Sequence, residues 1–352
     1  MQVNTIEQII FGYAIQYKQL ASMVESTFKN SVYANCTEIN LYIDLTKIIR
    51  TCSNIDFDKL ALSANILNLC AHYKAFFNSG FGVYCNIFMI YSTGKFMMNK
   101  YLYKDYAFPG SGPEYWNIDT DIKANREALN VICKYLNNIE YIETYEEFAL
   151  CVKEIAEKEN PVNAIPNIVI SKDLYAYQLP AIFDGFYIFR PKKSSGTDES
   201  FVVDKSNVLD KYQKGRHFVT TNELDINTMN LPFIISLTGF PDRCIKTKMN
   251  FKRLVKILKI LERDRIIPTN QQILVTDDLL SSISKYTSVK LNSFEISCVY
   301  DSINIVSLLS KLKCVKSMQS YNGKLNLMDP NGLNEIVDKY YNSMIDINTL
   351  CM

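Results

Sequence analysis

The chain has 352 residues, about twice the usual domain size, so it forms one large domain or two closely joined ones. Hydrophobic residues make up 48% and charged residues 21%, which excludes a disordered, collagenous or fibrous chain. Lys+Arg 38 against Asp+Glu 37 leaves a net charge of +1, which excludes a histone-like wrapper of nucleic acid but leaves room for a locally basic groove.

No apolar run reaches the roughly 18 residues of a membrane span, so the expectation is a soluble protein that does not enter membranes. The opening MQVNTIEQII has no basic region, apolar block or small-residue cleavage site, which points to a cytoplasmic location and reduced thiols. The ten cysteines include no CxxC pair, and only His72 and His217 stand by to assist them, so they are expected as buried core residues and not as a zinc site. The abundance of Asn, Ile, Lys and Tyr matches the AT-rich genomes of many phages and viruses, where the location would be host cytoplasm or virion.

Residues 4–29 carry apolar side chains at helical spacing and predict a helix ahead of the first strand. INLYIDL, residues 39–45, is a β-type run ending in Asp44. A long apolar helical stretch from residue 57 follows, then VYCNIFMIYS at 83–92 as a second buried strand. This strand, helix, strand order predicts a parallel sheet with right-handed crossovers. Residues 93–121 break the pattern: Lys95, Lys100 and Lys104 interleave with Tyr101, Tyr103 and Tyr106 before PGSGP. That segment reads either as a surface excursion or as a nucleic-acid-gripping element, with Lys on phosphate and Tyr stacked on bases. Helices are expected over 121–137 and 146–159, a third strand at 167–171, a hairpin after Asp184, and mostly helix beyond Asn207. The predicted organisation is an N-terminal helical extension over 1–35, an α/β core over 36–206 and a helical region over 207–352 packed on it.

In an open parallel sheet the reactive crevice lies at the carboxyl ends of the strands. Asp44 and Asp173 close two of the predicted strands there. Glu143, Glu146 and Glu147 stand at or just before the start of a helix that leads to the same place. Carboxylates gathered in one crevice repel unless a cation joins them, and an oxygen-only set favours Mg²⁺ or Mn²⁺, ions that activate water for phosphodiester hydrolysis. Taken singly, each has a plainer reading as a helix cap or a first-turn acid.

PNIVISKDLYAYQL, residues 166–179, resembles the SxDxDxxQL motif of the 5′-nuclease family, the flap endonucleases and 5′-3′ exonucleases of PIN-like fold, with Ser171, Asp173, Gln178 and Leu179 matching. YIETYEEFALCVKEIA is similar to that family's acidic helix start, and NLYIDLTKIIR to its first strand with Asp44 as the metal-binding residue. LPFIISLTGFPDRCIKTKMNFKRLVKILK is similar to the helix-three-turn-helix that grips duplex DNA, with Thr238 and Gly239 at its LTG turn. The resemblance spans residues 39–350. It implies a central parallel sheet flanked by helices with a mostly helical C-terminal half. It also implies metal ligands drawn from Asp44, Glu143, Glu146, Glu147 and Asp173, of which Asp44, Glu146, Glu147 and Asp173 would be catalytic. Phosphate contacts would come from Arg243, Lys246, Lys248, Lys252, Arg253 and Lys256, with Lys95, Lys100 and Lys104 beside them.

The departures bear on activity. Ser92 stands where the family's second strand ends in Asp, Tyr175 replaces the second Asp of the motif, and Phe240 follows the turn glycine. Two-metal hydrolysis needs ions roughly 3.5 to 4 Å apart, each with several carboxylates, so at most one Mg²⁺ or Mn²⁺ is expected. Three readings follow: a nucleic-acid-binding accessory protein, with DNA favoured over RNA and a protein partner docked on the N-terminal helix; an active metal-dependent 5′-3′ exonuclease or flap endonuclease; or a purely protein-interacting subunit.

Overall fold

The computed structural model describes residues 10, 21–22, 24–26, 33, 35–52, 60–94, 96–107, 120–160, 164–191, 201–216, 226–268, 270–287 and 291–314. Most of the expected N-terminal helix, Lys95 and the expected closing helices near the C-terminus lie outside them.

A six-stranded sheet forms the centre, in the order β3-β2-β1-β4-β5-β6. Its strands are β1 (Glu38–Asp44), β2 (Tyr84–Ser92), β3 (Ile139–Thr144), β4 (Asn167–Ile170), β5 (Phe186–Arg190) and β6 (Phe201–Val203). All neighbours pair parallel except β5 and β6. The strands expected over 39–45, 83–92 and 167–171 and the hairpin after Asp184 are therefore present. β3 is not among the expected strands, because its half-buried IEYIET reads in sequence as the approach to a helix.

The apolar runs of β1, β2 and β4 are continuous because both sheet faces are covered. On one face Leu41, Ile43, Ile87, Met89, Ile168 and Ile170 pack under α1 (Leu45–Cys52), α2 (Ala61–Phe81) and the helix Thr120–Ile132. On the other, Tyr42, Phe88, Ile90 and Val169 pack under α3 (Phe148–Glu159), the turn Leu174–Tyr177 and the helix Ile305–Cys314. The helical region has its own core, centred on α4 (Leu231–Thr238) and α5 (Phe251–Arg263). α4 joins the two: Leu231 and Ile235 belong to the sheet-side cluster and Phe233, Ile234 and Leu237 to the helical one.

At the amino end of the sheet three asparagines stand side by side, Asn40 in register with Asn86 on β2 and Asn167 on β4. Asn86 donates to the Asn40 side chain at 3.2 Å and Asn40 to Asn167 at 3.4 Å, while the Tyr42 hydroxyl donates to Asn167 at 3.2 Å. No helix of the described residues is long and apolar enough to cross a membrane.

Candidate functional site

β1 is flanked by β2 on one side and β4 on the other, so the chain reverses its direction of sheet growth between β1 and β4. Such a switch point opens a crevice at the carboxyl ends of the two strands. Asp44, the last residue of β1, is buried there, and its Oδ2 accepts a hydrogen bond from Ser171 Oγ at 2.7 Å. Asp173 follows two residues later and caps the turn after β4, with Oδ1 accepting from the Tyr175 amide at 3.0 Å. The two carboxyls thus share one crevice, as their places at the ends of parallel strands require.

Glu147 joins them. It precedes the first residue of α3 and its side chain makes no capping bond to that helix. Instead the carboxylate faces Arg243. The Arg243 guanidinium is fully buried and grips Glu147 with two nitrogens, Nε on Oε1 and Nη2 on Oε2, the latter at 3.0 Å. Nη2 also reaches Asp173 Oδ2 at 2.5 Å, and Nη1 donates to the Asp242 carbonyl at 3.0 Å. Tyr106 donates its hydroxyl to Glu147 Oε1 at 2.5 Å. Three rings surround the cation, with centroids 5.7 Å away for Phe96, 5.4 Å for Tyr175 and 5.8 Å for Phe240, within the range of a cation–π attraction.

A short hairpin delivers this arginine. α4 ends at Gly239, whose φ of 76° and ψ of 165° suit glycine alone. A Cβ there would meet the Thr247 backbone nitrogen at 2.6 Å. Phe240 then bridges to Ile245, and the turn Pro241–Arg243 aims the side chain at the sheet. Arg243, expected on a phosphate-gripping surface, is therefore an interior residue with no exposure to a ligand backbone.

The electrostatics follow from burial and this one cation. Burial disfavours the Arg243 charge, yet Asp173 and Glu147 hold its pKa well above the usual value. Burial likewise opposes ionisation of Asp173, but Arg243, Lys47 and the Tyr175 amide outweigh it and keep the carboxyl well below the carboxylate range. Lys47 sits one turn into α1, its Nζ 3.9 Å from Asp173. For Asp44 the balance goes the other way: burial first, and the nearby Asp173 charge second, push its pKa up to about 6 despite the Ser171 bond and Lys47.

The remaining expected ligands are committed elsewhere. Glu143 lies on β3, in register with Tyr91, so period-two alternation turns it to the sheet face opposite Asp44. There its carboxylate pairs with Arg126 at 3.0 and 2.7 Å and accepts from Tyr141 at 2.7 Å. Glu146 accepts from the Met98 amide at 3.1 Å, and burial raises its pKa to about 7. Ser92, where the family places Asp, is buried with its hydroxyl donated to the Glu146 carbonyl at 2.7 Å. A divalent ion needs oxygen ligands at about 2.0 to 2.6 Å that are free to face it. Here Glu147 and Asp173 already face a guanidinium, and among the described residues no group of three His, Cys, Asp or Glu could hold a metal ion. With Arg243 in place, the donor set does not fit the metal that the resemblance implies.

The basic residues divide differently. Lys246, Lys252 and Lys256 are exposed, the last two on the outer face of α5 opposite buried Phe251, Leu254, Val255 and Leu258. Lys248 pairs with Glu295 at 2.5 Å, and the Arg253 side chain reaches the Tyr286 carbonyl at 3.4 Å. Lys100, Lys104 and Tyr101 are exposed, whereas Tyr106 belongs to the buried crevice. Lys47 and Tyr106 were not singled out as crevice residues. Lys47 had a signal, three residues after Asp44 on the following helix; Tyr106 had none beyond its place in an aromatic run.

No family model matches the chain and no curated protein sequence matches it. Solved structures do. T5 D15 protein co-crystallized with metal ions aligns at TM-score 0.52 and 12% identity over 87% of this chain and 100% of that one. T5 5′-exonuclease with bound zinc aligns at TM-score 0.50 and 10% identity over 88% of this chain and 100% of that one. The strand order, the crevice at the switch point and these alignments together give the chain the 5′-nuclease fold.

Proposed function

We propose that this chain is a nucleic-acid-binding protein, with DNA preferred to RNA, that uses a 5′-nuclease fold to hold its ligand and not to cut it. The observation that carries this reading is the fully buried Arg243 guanidinium bridging Glu147 and Asp173. Of the carboxylates assigned as catalytic, two are neutralised by that bridge, Glu146 is tied to the Met98 amide, and Asp44 is bonded to Ser171. Among the described residues Cys52, Cys70, Cys85, Cys133 and Cys151 are buried, and burial pushes up the thiol pKa of Cys70, Cys85, Cys133 and Cys151, which keeps those four from acting as thiolate nucleophiles in their place.

The binding surface in this reading is the exposed set Lys246, Lys252 and Lys256, with Lys100 and Lys104 as a second patch beside the exposed ring of Tyr101. Lysines on an outer helix face act on phosphate as point charges and read no base. The protein then serves as an accessory or architectural component of a phage or viral system, with the 1–35 extension available to a protein partner.

The test is a pair of measurements on the full chain. Incubation with 5′-flapped DNA in Mg²⁺ or Mn²⁺ should leave the substrate intact, while binding in EDTA should be strong near 50 mM salt and weaken as salt rises. Metal-dependent cleavage abolished by Asp173→Ala would establish an enzyme instead, and absence of binding to any DNA or RNA would leave a protein-interaction module.

A further inference from the structure

We infer that the Arg243 guanidinium is the resident cation of the carboxylate crevice, standing in for a divalent ion, so that the folded protein takes up no such ion there and acquires an ion site only when this side chain is removed. The inference rests on the reading of the crevice as non-hydrolytic and is independent of whether DNA binds.

Position is the first argument. One group touches both acids, with Nη2 shared between Asp173 Oδ2 at 2.5 Å and Glu147 Oε2 at 3.0 Å. An ion between these carboxylates would need the same space. The second argument is chemical. A guanidinium stays charged at every pH the fold survives and presents a planar fork that matches a carboxylate with two parallel bonds. It therefore neutralises the pair permanently, where a metal would be lost to a chelator or to dilution.

The third argument is mechanical. The side chain arrives on a hairpin fixed by the Gly239 backbone, by the Phe240–Ile245 bridge and by Cys244 at φ 59°. Phe96, Tyr175 and Phe240 close around it. Lys47 at 3.9 Å from Asp173 adds positive charge beside the crevice, and Arg50 stands close enough that Arg243 disfavours its charge, after burial as the larger cause. Both would repel an incoming divalent ion.

The experiment titrates Mn²⁺ alone into the wild type, Arg243→Ala and the Arg243→Ala/Asp173→Asn double variant, without nucleic acid. Free Mn²⁺ is followed by electron paramagnetic resonance and the protein by thermal melting. The wild type should leave the free Mn²⁺ signal and its own melting temperature unchanged. Arg243→Ala should take up Mn²⁺ and melt higher in its presence, and the double variant should lose both effects. Wild-type uptake that Asp173→Asn abolishes would overturn the inference, as would a folded Arg243→Ala that takes no Mn²⁺. If Arg243→Ala does not fold alone, recovery of its near-ultraviolet dichroism in Mn²⁺ supports the inference. Failure to recover with Mn²⁺ counts against it, because a replaceable charge would then not be what the crevice requires.

Discussion

Arg243 Nη2 and Asp173 Oδ2 meet at 2.5 Å although 70 positions separate them in the chain. One belongs to the hairpin after α4 and the other to the loop after β4, so this contact ties the helical region to the sheet. A buried ion pair adds little net stability when compared with a well-packed apolar replacement, but breaking one half of it is costly because the partner charge stays buried and alone.

Arg243→Met should therefore destabilise the protein by roughly 3 to 5 kcal/mol. Adding Glu147→Gln and Asp173→Asn should recover a large part of that loss, since no uncompensated charge then remains. Urea denaturation of the single and triple variants measures both.

Asp44 gives a pH signature of defined sign. Its carboxyl holds a proton up to about pH 6 when folded and to about pH 4 when unfolded. Across that window the native state binds more protons, so stability falls as pH rises and is flat above it. The loss amounts to at most about 3 kcal/mol. Glu146, raised to about 7, acts in the same sense, so Asp44→Asn should remove only its own part of the slope. Asp173 acts oppositely: its low pKa gives stability that is present above about pH 4 and lost on acidification below it. Denaturation midpoints of wild type and Asp44→Asn across this range test the assignment.

Gly239→Ala should cost roughly 1 to 3 kcal/mol from the backbone alone, with a further loss from the Cβ contact at 2.6 Å to Thr247. The hairpin must shift to relieve it, so the Arg243 bonds should weaken too. A lower melting temperature and increased hydrogen exchange at residues 240–245 are the expected readouts.

Ser92→Asp restores a carboxylate at the family's position but should not restore a metal centre. The Ser92 hydroxyl donates to a carbonyl, which an ionised Asp cannot do. A loss of at least about 2 kcal/mol and no gain of Mn²⁺-dependent cleavage are expected.

Neutralising Lys246, Lys252 and Lys256 to Gln should weaken duplex binding and reduce the log–log salt slope by about 0.9 per lysine that meets a phosphate. Tyr101→Ala should weaken single-stranded or flapped ligands instead, by about 1 to 3 kcal/mol if a base stacks on that ring. Salt titrations of the two variants separate the patches.

The strands buried on both faces were legible because their apolar runs are uninterrupted, and Asp44 and Asp173 were legible because they end such runs. β3 was hidden by its alternation of Glu140, Tyr141 and Glu143 among isoleucines. That miss carried Glu143 to the wrong side of the sheet. Arg243 was hidden for a different reason. In a segment with Arg243, Lys246, Lys248, Lys252, Arg253 and Lys256, nothing local tells the one buried cation from the solvated ones; only the demand of Glu147 and Asp173 for a partner does, and that demand is a property of the fold.

The asparagine row at the other end of the sheet bears on how the protein assembles. Asn86 and Asn40 lie 46 positions apart, and Asn40 and Asn167 lie 127 apart, so the row closes only after distant segments have docked. A slip of one residue in β4 would turn the Asn167 amide to the apolar face lined by Leu41 and Ile87 and leave its neighbour's hydrogen bonds unmade. The row thus acts as a proofreading mark for strand alignment. A correctly seated β4 is also the condition for Asp173 to stand where Arg243 can reach it, so an error in pairing at one edge of the sheet would be felt as a missing charge partner at the other.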